Sequence, residues 1–513
     1  MRIPLDRNIS VPLYRQIEQF LREQLQSGAL GPNTRLPSSR SLATGLGVSR
    51  IVVANAYAEL ESHGLVYSQR GSGTFVAPPL AVPPEPKGDF ISAQDWPLWQ
   101  QELLSHPYQP AYQELARLLD SVPHPDPISF AERITPSELW PIDDFGRALK
   151  AVFRRDGAAA VGSGDSEAGY LPLRVAVAQI LNSEGIPTRP EDVLITSGSQ
   201  QALNLVAREI LSPYDVVLVE SPTYNVALDL FRSLRVRLLG VPVDEHGMQV
   251  EKVEDALRTA RPRLIFTIPT FHNPTGTCMS GYRRRQLVAL ADRYNVPILE
   301  DDFIGNLRYD GRAEPALKAL DPGGRVIYVG TFSKVLMPGL RLGFMVAEGP
   351  IYKRMLACKY VSDLTTSHLL QRALSEYITV GRYHAHLRRV CKVYRSRYEA
   401  MLEALDRHLP AGTQWLPPKG GRYIWLQLTG GLSANELFPI AAKEGVTFCP
   451  GSFFFPGKRP QSHLRLNFAI NPPDVIEEGV KRLSRALRLL RLEKGKQVGF
   501  LHKGVAGIPS NYS

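Results

Sequence analysis

Residues 331–341 have the sequence TFSKVLMPGLR, which places Lys334 and Arg341 just after the apolar run Val326–Val329. A lysine amine can form a Schiff base with an aldehyde when burial or nearby positive charge lowers its pKa from about 10.4. An arginine can hold a phosphate through two parallel hydrogen bonds. A single lysine is more often a surface residue, so this interpretation depends on what accompanies Lys334.

Around this stretch, β-prone runs alternate with amphipathic helical segments. The runs are Val193–Thr196, Val216–Glu220, Leu264–Thr267, Pro297–Leu299 and Val326–Val329. Such alternation predicts an α/β fold in which a largely parallel sheet is covered by helices. Ligands of these sheets bind beyond the carboxyl ends of the strands, so we expect a site there.

A candidate side chain follows each of the other runs. Ser199 and Gln200 begin a predicted helix whose N–H groups could hold a phosphate, although most such starts are only caps. Tyr224 could stack on a flat heteroaromatic ring, but a tyrosine there is more often core. The amide of Asn273 could bind a phenolate oxygen. Asp301 could keep a pyridine nitrogen protonated, although an exposed acidic loop is the commoner role.

In this order the motifs resemble the fold-type I aminotransferases. The resemblance implies that pyridoxal 5'-phosphate is the cofactor and that Lys334 carries its aldimine. It places Asp301 at the pyridine nitrogen, Asn273 at the ring hydroxyl and Tyr224 on the ring face. The phosphate would be held by Ser199, Gln200, Ser333 and Arg341.

Two later stretches, GGRYIW at 420–425 and HLRLNF at 463–468, resemble the smaller domain of the same fold. By that resemblance Arg465 would clamp the α-carboxylate of a substrate, and the alternative role is a charge at a strand edge. Two positions depart from the family. Many regulator relatives carry a tyrosine shortly after the ring-nitrogen aspartate, where Phe303 stands and cannot donate a hydrogen bond. Relatives often carry another tyrosine at the position of Gly164, where it reaches the phosphate of the partner subunit.

The N-terminal residues predict three helices followed by a hairpin. Ser38 or Ser39 can cap the second helix, and Ser49 and Arg50 open the third. The motifs LPSSR at 36–40, VSR at 48–50 and GSGTFV at 71–76 resemble the GntR-type winged helix. This implies contacts with double-stranded DNA from Ser38, Ser39, Arg40, Ser49, Arg50, Gly71, Gly73 and Thr74. Alone, each of these residues could equally be a helix cap or a solvated charge.

The bulk properties are compatible with both halves. The chain has 513 residues and a formal net charge of +10, which suits a polyanionic partner but is also common among enzymes. The four cysteines have no CxxC spacing, so neither a metal site nor a disulfide framework is predicted. No apolar stretch approaches the length of a membrane span, and we expect a cytoplasmic protein.

We predict four segments. They are a winged helix-turn-helix at 1–77, a proline-rich linker at 78–127, an aminotransferase-like domain at 128–493 with a small subdomain from about 380, and a basic tail at 494–513. This organisation resembles the MocR group of bacterial regulators, which implies a head-to-tail homodimer. The effector would be pyridoxal phosphate or a small amino compound sensed through Lys334. The alternatives are a genuine aminotransferase with an accessory DNA-binding domain and a regulator whose body only dimerises.

Overall fold

The computed structural model describes residues 3–7, 9, 11–69, 71–78, 96–104, 111–132, 135–164, 166–457 and 460–504. The chain divides into two compact units, Met1–Pro107 and Tyr108–Ser513. Within these described ranges, no helix combines the length and the apolar character needed to cross a membrane.

The first unit begins with three helices and a hairpin. The helices are α1 (Leu13–Gln26), α2 (Ser39–Leu46) and α3 (Arg50–Ser62), and the antiparallel strands are β1 (Val66–Gln69) and β2 (Gly73–Val76). The inward face of α3 is buried against Ile17 and Leu21 of α1 and consists of Val53, Ala56, Tyr57 and Leu60. The predicted winged helix-turn-helix is therefore confirmed.

The turn between α2 and α3 depends on two local features. The hydroxyl of Ser38 accepts a 3.1 Å hydrogen bond from the N–H of Ser41, so Ser38 is the cap of α2. Gly47 follows α2 with φ +62°, a left-handed conformation that favours glycine because it lacks Cβ. The hydroxyl of Tyr57 donates to the carbonyl of Pro37 at 2.8 Å and so ties α3 to the residues ahead of α2.

Two helices lie in the segment predicted as a proline-rich linker. They are α4 (Leu98–Leu104) and α5 (Ala111–Asp120). In α5, Ala111 and Leu115 are buried against Phe453 and Phe454 of the second unit. The sequence showed no helical period in this linker because α4 and α5 are only seven and ten residues long and lie among prolines. The linker residues at 79–95 and 105–110 lie outside the described ranges.

The second unit is built on a large sheet covered by helices. Its remaining helices are α6 (Ile142–Asp156), α7 (Leu171–Ser183), α8 (Ser199–Ile210), α9 (Asn225–Ser233), α10 (Val250–Ala260), α11 (Gly281–Tyr294), α12 (Pro350–Asp363), α13 (His368–Thr379), α14 (Arg382–His408), α15 (Ala434–Lys443) and α16 (Pro473–Gly504). Its strands are β3 (Ile128–Ser129), β4 (Val193–Thr196), β5 (Val216–Ser221), β6 (Arg237–Asp244), β7 (Gly247–Met248), β8 (Leu264–Thr267), β9 (Ile298–Asp302), β10 (Val326–Thr331), β11 (Gly343–Val346), β12 (Thr413–Trp415), β13 (Tyr423–Leu428), β14 (Val446–Thr447), β15 (Cys449–Pro450) and β16 (His463–Asn467).

The large sheet has eight strands in the order β4-β11-β10-β9-β8-β5-β6-β7. Strands β10, β9, β8, β5 and β6 are parallel, whereas β11 runs antiparallel to both of its neighbours. Every residue of β4 and β8 is buried, as expected for strands covered on both faces. The carboxyl ends of β4, β5, β8, β9 and β10 therefore meet at one edge, and the predicted α/β fold is confirmed.

The C-terminal part forms the smaller layer. Its four-stranded sheet has the order β12-β13-β16-β15 and is antiparallel at each pairing. The long helices α14 and α16 pack on each other beside it. Helix α16 continues to Gly504, so the first part of the predicted basic tail is helical, and residues 505–513 lie outside the described ranges.

Candidate functional site

One pocket lies at the edge where the parallel strands end. Five of the residues singled out in the sequence line it together with Ile268, Phe303 and Tyr423, and they are Ser199, Tyr224, Asn273, Asp301 and Lys334. Each of the five belongs to the end of a different strand or to the loop that follows it. The parallel topology thus gathers side chains that are up to 135 residues apart in sequence, from 199 to 334.

Asp301 is the electrostatic centre of this pocket. Its side chain is buried, with 3% exposure, and its Oδ1 atom has no hydrogen-bond partner in the described part of the chain. The pKa of Asp301 is raised to about 7, mainly because burial disfavours the charged carboxylate and secondly because of the neighbouring Asp302 carboxylate, while the Lys334 ammonium opposes the shift. A buried carboxylate oxygen without a donor is costly, and it fits a ligand that presents a protonated nitrogen.

A phosphate-sized anion could be held where α8 begins. Gly198 precedes α8 with φ +87°, and a Cβ there would lie 2.9 Å from Nη2 of Arg341. That guanidinium donates to the carbonyl of Ser197 at 3.3 Å. Ser333 is buried, and its hydroxyl oxygen has no hydrogen-bond partner among the described residues. The side-chain donors Arg341 and Ser333 thus accompany the positive end of the α8 dipole.

A buried polar network supports this anion site from behind. The amide oxygen of Gln201 accepts from the N–H of Ser197 at 2.7 Å, and its nitrogen donates to Asp363 at 2.8 Å. The fully buried Lys359 pairs with the other Asp363 oxygen at 2.9 Å. Gln201 is therefore a structural brace that the sequence reading missed. Gln200, to which the family resemblance assigns the phosphate, does not line the pocket, and its role in phosphate binding remains a prediction.

Arg465 reaches the pocket through Asn273. The side chain has no solvent exposure, and its Nη1 donates to the amide oxygen of Asn273 at 3.0 Å. Its Nη2 donates to the carbonyl of Ala131 at 3.1 Å. The guanidinium also lies over the ring of Tyr423, 4.2 Å from the centroid, and over that of Phe454 at 5.0 Å. In this conformation both terminal nitrogens of Arg465 have protein partners.

The loop that carries Asn273 is anchored by a buried histidine and glutamate. His272 Nε2 lies 3.1 Å from Oε2 of Glu220, and its Nδ1 lies 2.8 Å from the hydroxyl of Thr275. Glu220 also accepts from the hydroxyl of Thr267 at 2.7 Å and from the N–H of Ile268 at 2.9 Å. These contacts tie the loop after β8 to the end of β5 and so orient Asn273.

The two family departures have structural counterparts. Phe303 lines the pocket and stacks on Tyr423, with ring centroids 6.4 Å apart and an interplanar angle of 25°. Tyr423, which the sequence reading placed only in the smaller domain, thus belongs to the pocket wall. At Gly164, a Cβ would lie 2.2 Å from the ring of His368. His368 therefore occupies the space that a side chain at position 164 would need.

The candidate DNA surface lies at the start of α3. Ser49 precedes the helix, and the Nε of Arg50 donates to the hydroxyl of Ser39 at 3.4 Å. Ile51 is 71% exposed, and Asn55, one turn later, is exposed as well. The sequence reading missed both residues, although their spacing of four on the side opposite the buried face could have indicated them.

The hairpin carries the predicted wing. Gly71 and Gly73 have φ angles of +81° and +121°, and the backbone there requires glycine. A Cβ at Gly73 would lie 2.9 Å from Nε of Arg35, which pairs by a β-bridge with Phe75. Thr74 lies between Gly73 and Phe75, and its hydroxyl is 3.5 Å from that of Ser68. Arg35 is thus a further basic side chain beside the wing.

Comparisons with known proteins match the two units separately. Residues 148–483 match the family model described as aminotransferase class I and II, and residues 13–76 match that of bacterial regulatory proteins, gntR family. The probable rhizopine catabolism regulatory protein MocR of Rhizobium meliloti is 33% identical, over 95% of this chain and 96% of that protein.

Solved aminotransferase structures resemble the second unit. Kynurenine aminotransferase from Pyrococcus horikoshii, in complex with PMP, has a TM-score of 0.71 and 36% identity, covering 76% of this chain and 96% of that one. LysN, an alpha-aminoadipate aminotransferase from Thermus thermophilus complexed with N-(5'-phosphopyridoxyl)-L-leucine, has a TM-score of 0.70 and 36% identity. It covers 77% of this chain and 99% of that one.

Proposed function

Because this chain belongs to the aminotransferase class I and II family and carries a gntR-family domain, as MocR-type regulators do, we propose that it is a pyridoxal-phosphate-dependent transcription regulator. Its head binds double-stranded DNA, and its body senses pyridoxal phosphate or a small amino compound. The observation that supports the sensing role most strongly is the pocket that gathers Lys334, Asn273 and Asp301.

The residues of the pocket fit pyridoxal phosphate. When bound, the cofactor supplies an aldehyde that condenses with a primary amine, and Lys334 offers that amine. Asp301 would hold the proton of the ring nitrogen at its unpartnered Oδ1 atom, Asn273 would donate to the ring hydroxyl, and Tyr224 would cover one ring face. Phosphate binding is assigned to Ser199, Gln200, Ser333 and Arg341.

Arg465 is the proposed partner for an effector carboxylate, with one requirement. Its guanidinium is fully buried and already bonded to Asn273 and to the carbonyl of Ala131. A carboxylate that binds through both terminal nitrogens must compete with these two acceptors, whereas Nε has no hydrogen-bond partner in the described part of the chain. Such binding of an amino acid would weaken the bond between Arg465 and Asn273 and so disturb the cofactor pocket, which suits a sensor because the effector then favours one arrangement over another.

The head would read DNA in the major groove. Arg40, Ser49 and Arg50 supply groups for phosphates and base edges, and the wing at 71–74 would reach the neighbouring groove. On the exposed face of α3, Ile51 suits a thymine methyl and the amide of Asn55 suits an adenine edge. A head-to-tail homodimer would present two such heads to two half-sites. Because bacterial DNA lies in the cytoplasm, this role places the protein there.

Footprinting of the DNA upstream of the chain's own gene tests the proposal. The wild type and the Lys353→Ala variant, which removes an exposed lysine, should protect a site whose affinity or extent changes with the cofactor. The Lys334→Ala variant should protect DNA without that response. A footprint that ignores cofactor and amines in every variant would show that the body serves only dimerisation.

The competing function is a genuine aminotransferase with an accessory DNA-binding domain. It is supported by the presence of Lys334, Asp301 and Arg465 in one connected site. Turnover assays with panels of amino acids and keto acids separate the two functions. Multiple turnovers in these assays, together with no DNA footprint, would show that the chain is an enzyme and not a regulator.

A further inference from the structure

A second cavity lies beside the cofactor pocket and has no part in the proposed function. Its volume is about 570 Å³. Its apolar walls are supplied by Pro222, Trp415, Trp425 and Phe455, with His463 beside them. Cavities of this size that combine apolar and aromatic walls with polar groups are typical of small-molecule sites.

The cavity and the cofactor pocket share one face of the smaller sheet. Side chains alternate along a strand, so Tyr423 and Trp425 of β13 lie on the same face. Tyr423 lines the cofactor pocket, and Trp425 lines the cavity. On β16, Arg465 is the register partner of Trp425. His463, two residues before Arg465, lies on the same face and lines the cavity. The two sites are therefore adjacent along a single pair of strands.

Two loops also contribute to both sites. The turn after β5 gives Ser221 and Pro222 to the cavity and Tyr224 to the cofactor pocket. The loop after β8 gives Thr275 to the cavity and Asn273 to the pocket. A ligand that fixes these loops from the cavity side would alter the positions of the two side chains that face the cofactor. The sites are thus placed for coupling through shared walls.

The aromatic wall suits a flat ring. The rings of Trp425 and His463 stack with centroids 5.2 Å apart and an interplanar angle of 14°, and Phe455 lies 6.5 Å from Trp425. Burial lowers the pKa of His463, so its imidazole is neutral at neutral pH. Aromatic pairs of this kind stack or meet edge to face with further aromatic rings.

The polar groups at the cavity suit an uncharged ligand. Gln414 and Gln427 are exposed register partners on β12 and β13, and their amides offer both donors and acceptors. The carboxylate of Asp244 is held by Arg283 through both oxygens, at 2.5 and 2.8 Å. Glu245 also lines the cavity with an exposed carboxylate, and among the described lining residues none is lysine or arginine, so an anionic ligand is disfavoured.

We propose that this cavity is a second ligand site, which binds an uncharged flat aromatic compound carrying an amide or hydroxyl group. The ligand stacks on Trp425 and bonds the amides of Gln414 and Gln427, which lie on the same face of the smaller sheet as Trp425. The site is separate from Lys334 and acts on the cofactor pocket through the loops that carry Tyr224 and Asn273. It goes beyond the proposed function because it requires neither DNA binding nor covalent chemistry.

Calorimetric titration of the full chain, loaded with pyridoxal phosphate, tests the site with indole-3-acetamide as the probe. Trp425→Ala should raise the Kd at least tenfold, whereas Trp99→Ala, which removes a 62% exposed tryptophan, should leave it unchanged. Because Trp425 also packs on the buried Phe454, the variant Gln414→Ala/Gln427→Ala serves as a second test that removes only exposed side chains. It should raise the Kd at least threefold.

The Lys334→Ala variant distinguishes this site from the cofactor pocket. Binding of indole-3-acetamide should persist in it within about twofold, since the cavity does not include that lysine. Loss of binding in Lys334→Ala, no binding to the wild type, or tighter binding of indole-3-acetate would each overturn the proposal.

In the wild type, saturating probe should change the Kd for pyridoxal phosphate at least threefold, and an unchanged value would contradict the coupling. The absence of a DNA footprint would overturn the proposed function and leave this site intact.

Discussion

The guanidinium of Arg465 donates a 3.0 Å hydrogen bond to the amide oxygen of Asn273, and both side chains are buried. This bond joins β16 of the smaller layer to the loop after β8 of the large sheet. The two residues are 192 positions apart in the sequence. The bond therefore connects the proposed carboxylate-binding arginine directly to the side chain proposed for the ring hydroxyl.

Removing Asn273 should destabilise the second unit. In Asn273→Ala the buried guanidinium loses one partner, and hydrogen bonds to charged groups contribute roughly 1.5–3 kcal/mol. We expect a loss of that size in the free energy of unfolding, measured by urea denaturation of the cofactor-free protein. The matched control is Asn204→Ala, whose side chain bonds only Arg208 at the surface, and we expect less than about 0.5 kcal/mol there. Equal losses in the two variants would contradict the importance of the buried bond.

The buried carboxyl of Asp301 should impose a pH dependence on stability. Its pKa is raised to about 7 in the folded chain from 3.8, so between these values the folded state binds more protons than the unfolded state. The free energy of unfolding contributed by this group therefore falls as pH rises from about 4 to 7. Asp301→Asn should remove up to about 1.4 kcal/mol per pH unit of that slope.

Urea denaturation of the cofactor-free protein at several pH values measures this effect. Asp255→Asn is a suitable control because Asp255 is 71% exposed and pairs only with Arg258. Its profile should match that of the wild type. If Asp301→Asn retained the wild-type slope, the folded chain would hold Asp301 ionised throughout this range.

The exposed face of α3 should set sequence preference. Ile51→Ala should leave non-specific DNA affinity unchanged and lower discrimination at one A·T position about tenfold, because a methyl contact reads base identity. Arg50→Ala should instead weaken binding to all DNA sequences. It should also reduce the slope of log affinity against log salt concentration by the amount expected for about one phosphate contact. Selection from random DNA followed by titration at several salt concentrations measures both. Unchanged preference in the Ile51 variant would exclude it from base recognition.

Restoring a tyrosine at position 164 should destabilise the chain. Gly164 has φ +83°, and a Cβ there would collide with the ring of His368. Gly164→Tyr should lower the free energy of unfolding by about 3 kcal/mol through backbone strain and overpacking. Gly185→Tyr isolates the backbone part, since Gly185 has φ +81° and open space around it, and it should cost about 1–2 kcal/mol.

The double variant Gly164→Tyr/His368→Ala separates the two causes in the same urea experiment. Removing the imidazole should recover the steric part of the loss but not the backbone part. If the double variant were no more stable than the sum of the two single changes predicts, the ring of His368 would not be the obstacle.

Much of the fold could be predicted from sequence because its signals are local. Apolar runs of three to five residues specify buried strands, and parallel strands necessarily place their carboxyl ends at one edge. Ser199, Tyr224, Asn273, Asp301 and Lys334 each follow such a run, so their gathering in one pocket follows from order alone. Helix α5 was not predicted because its helical pattern covers only ten residues and lies among prolines.

The sequence by itself determined the succession of strands along the chain, the side chains at their ends and the winged helix with a cap at Ser38 or Ser39. Only the tertiary structure decided that Arg465 bonds Asn273, that Asp301 keeps an oxygen without a partner, and that His368 fills the space beside Gly164. The reason is physical. Burial and hydrogen-bond partners are set by contacts between segments far apart in the chain, and these depend on how the layers pack and not on any local period.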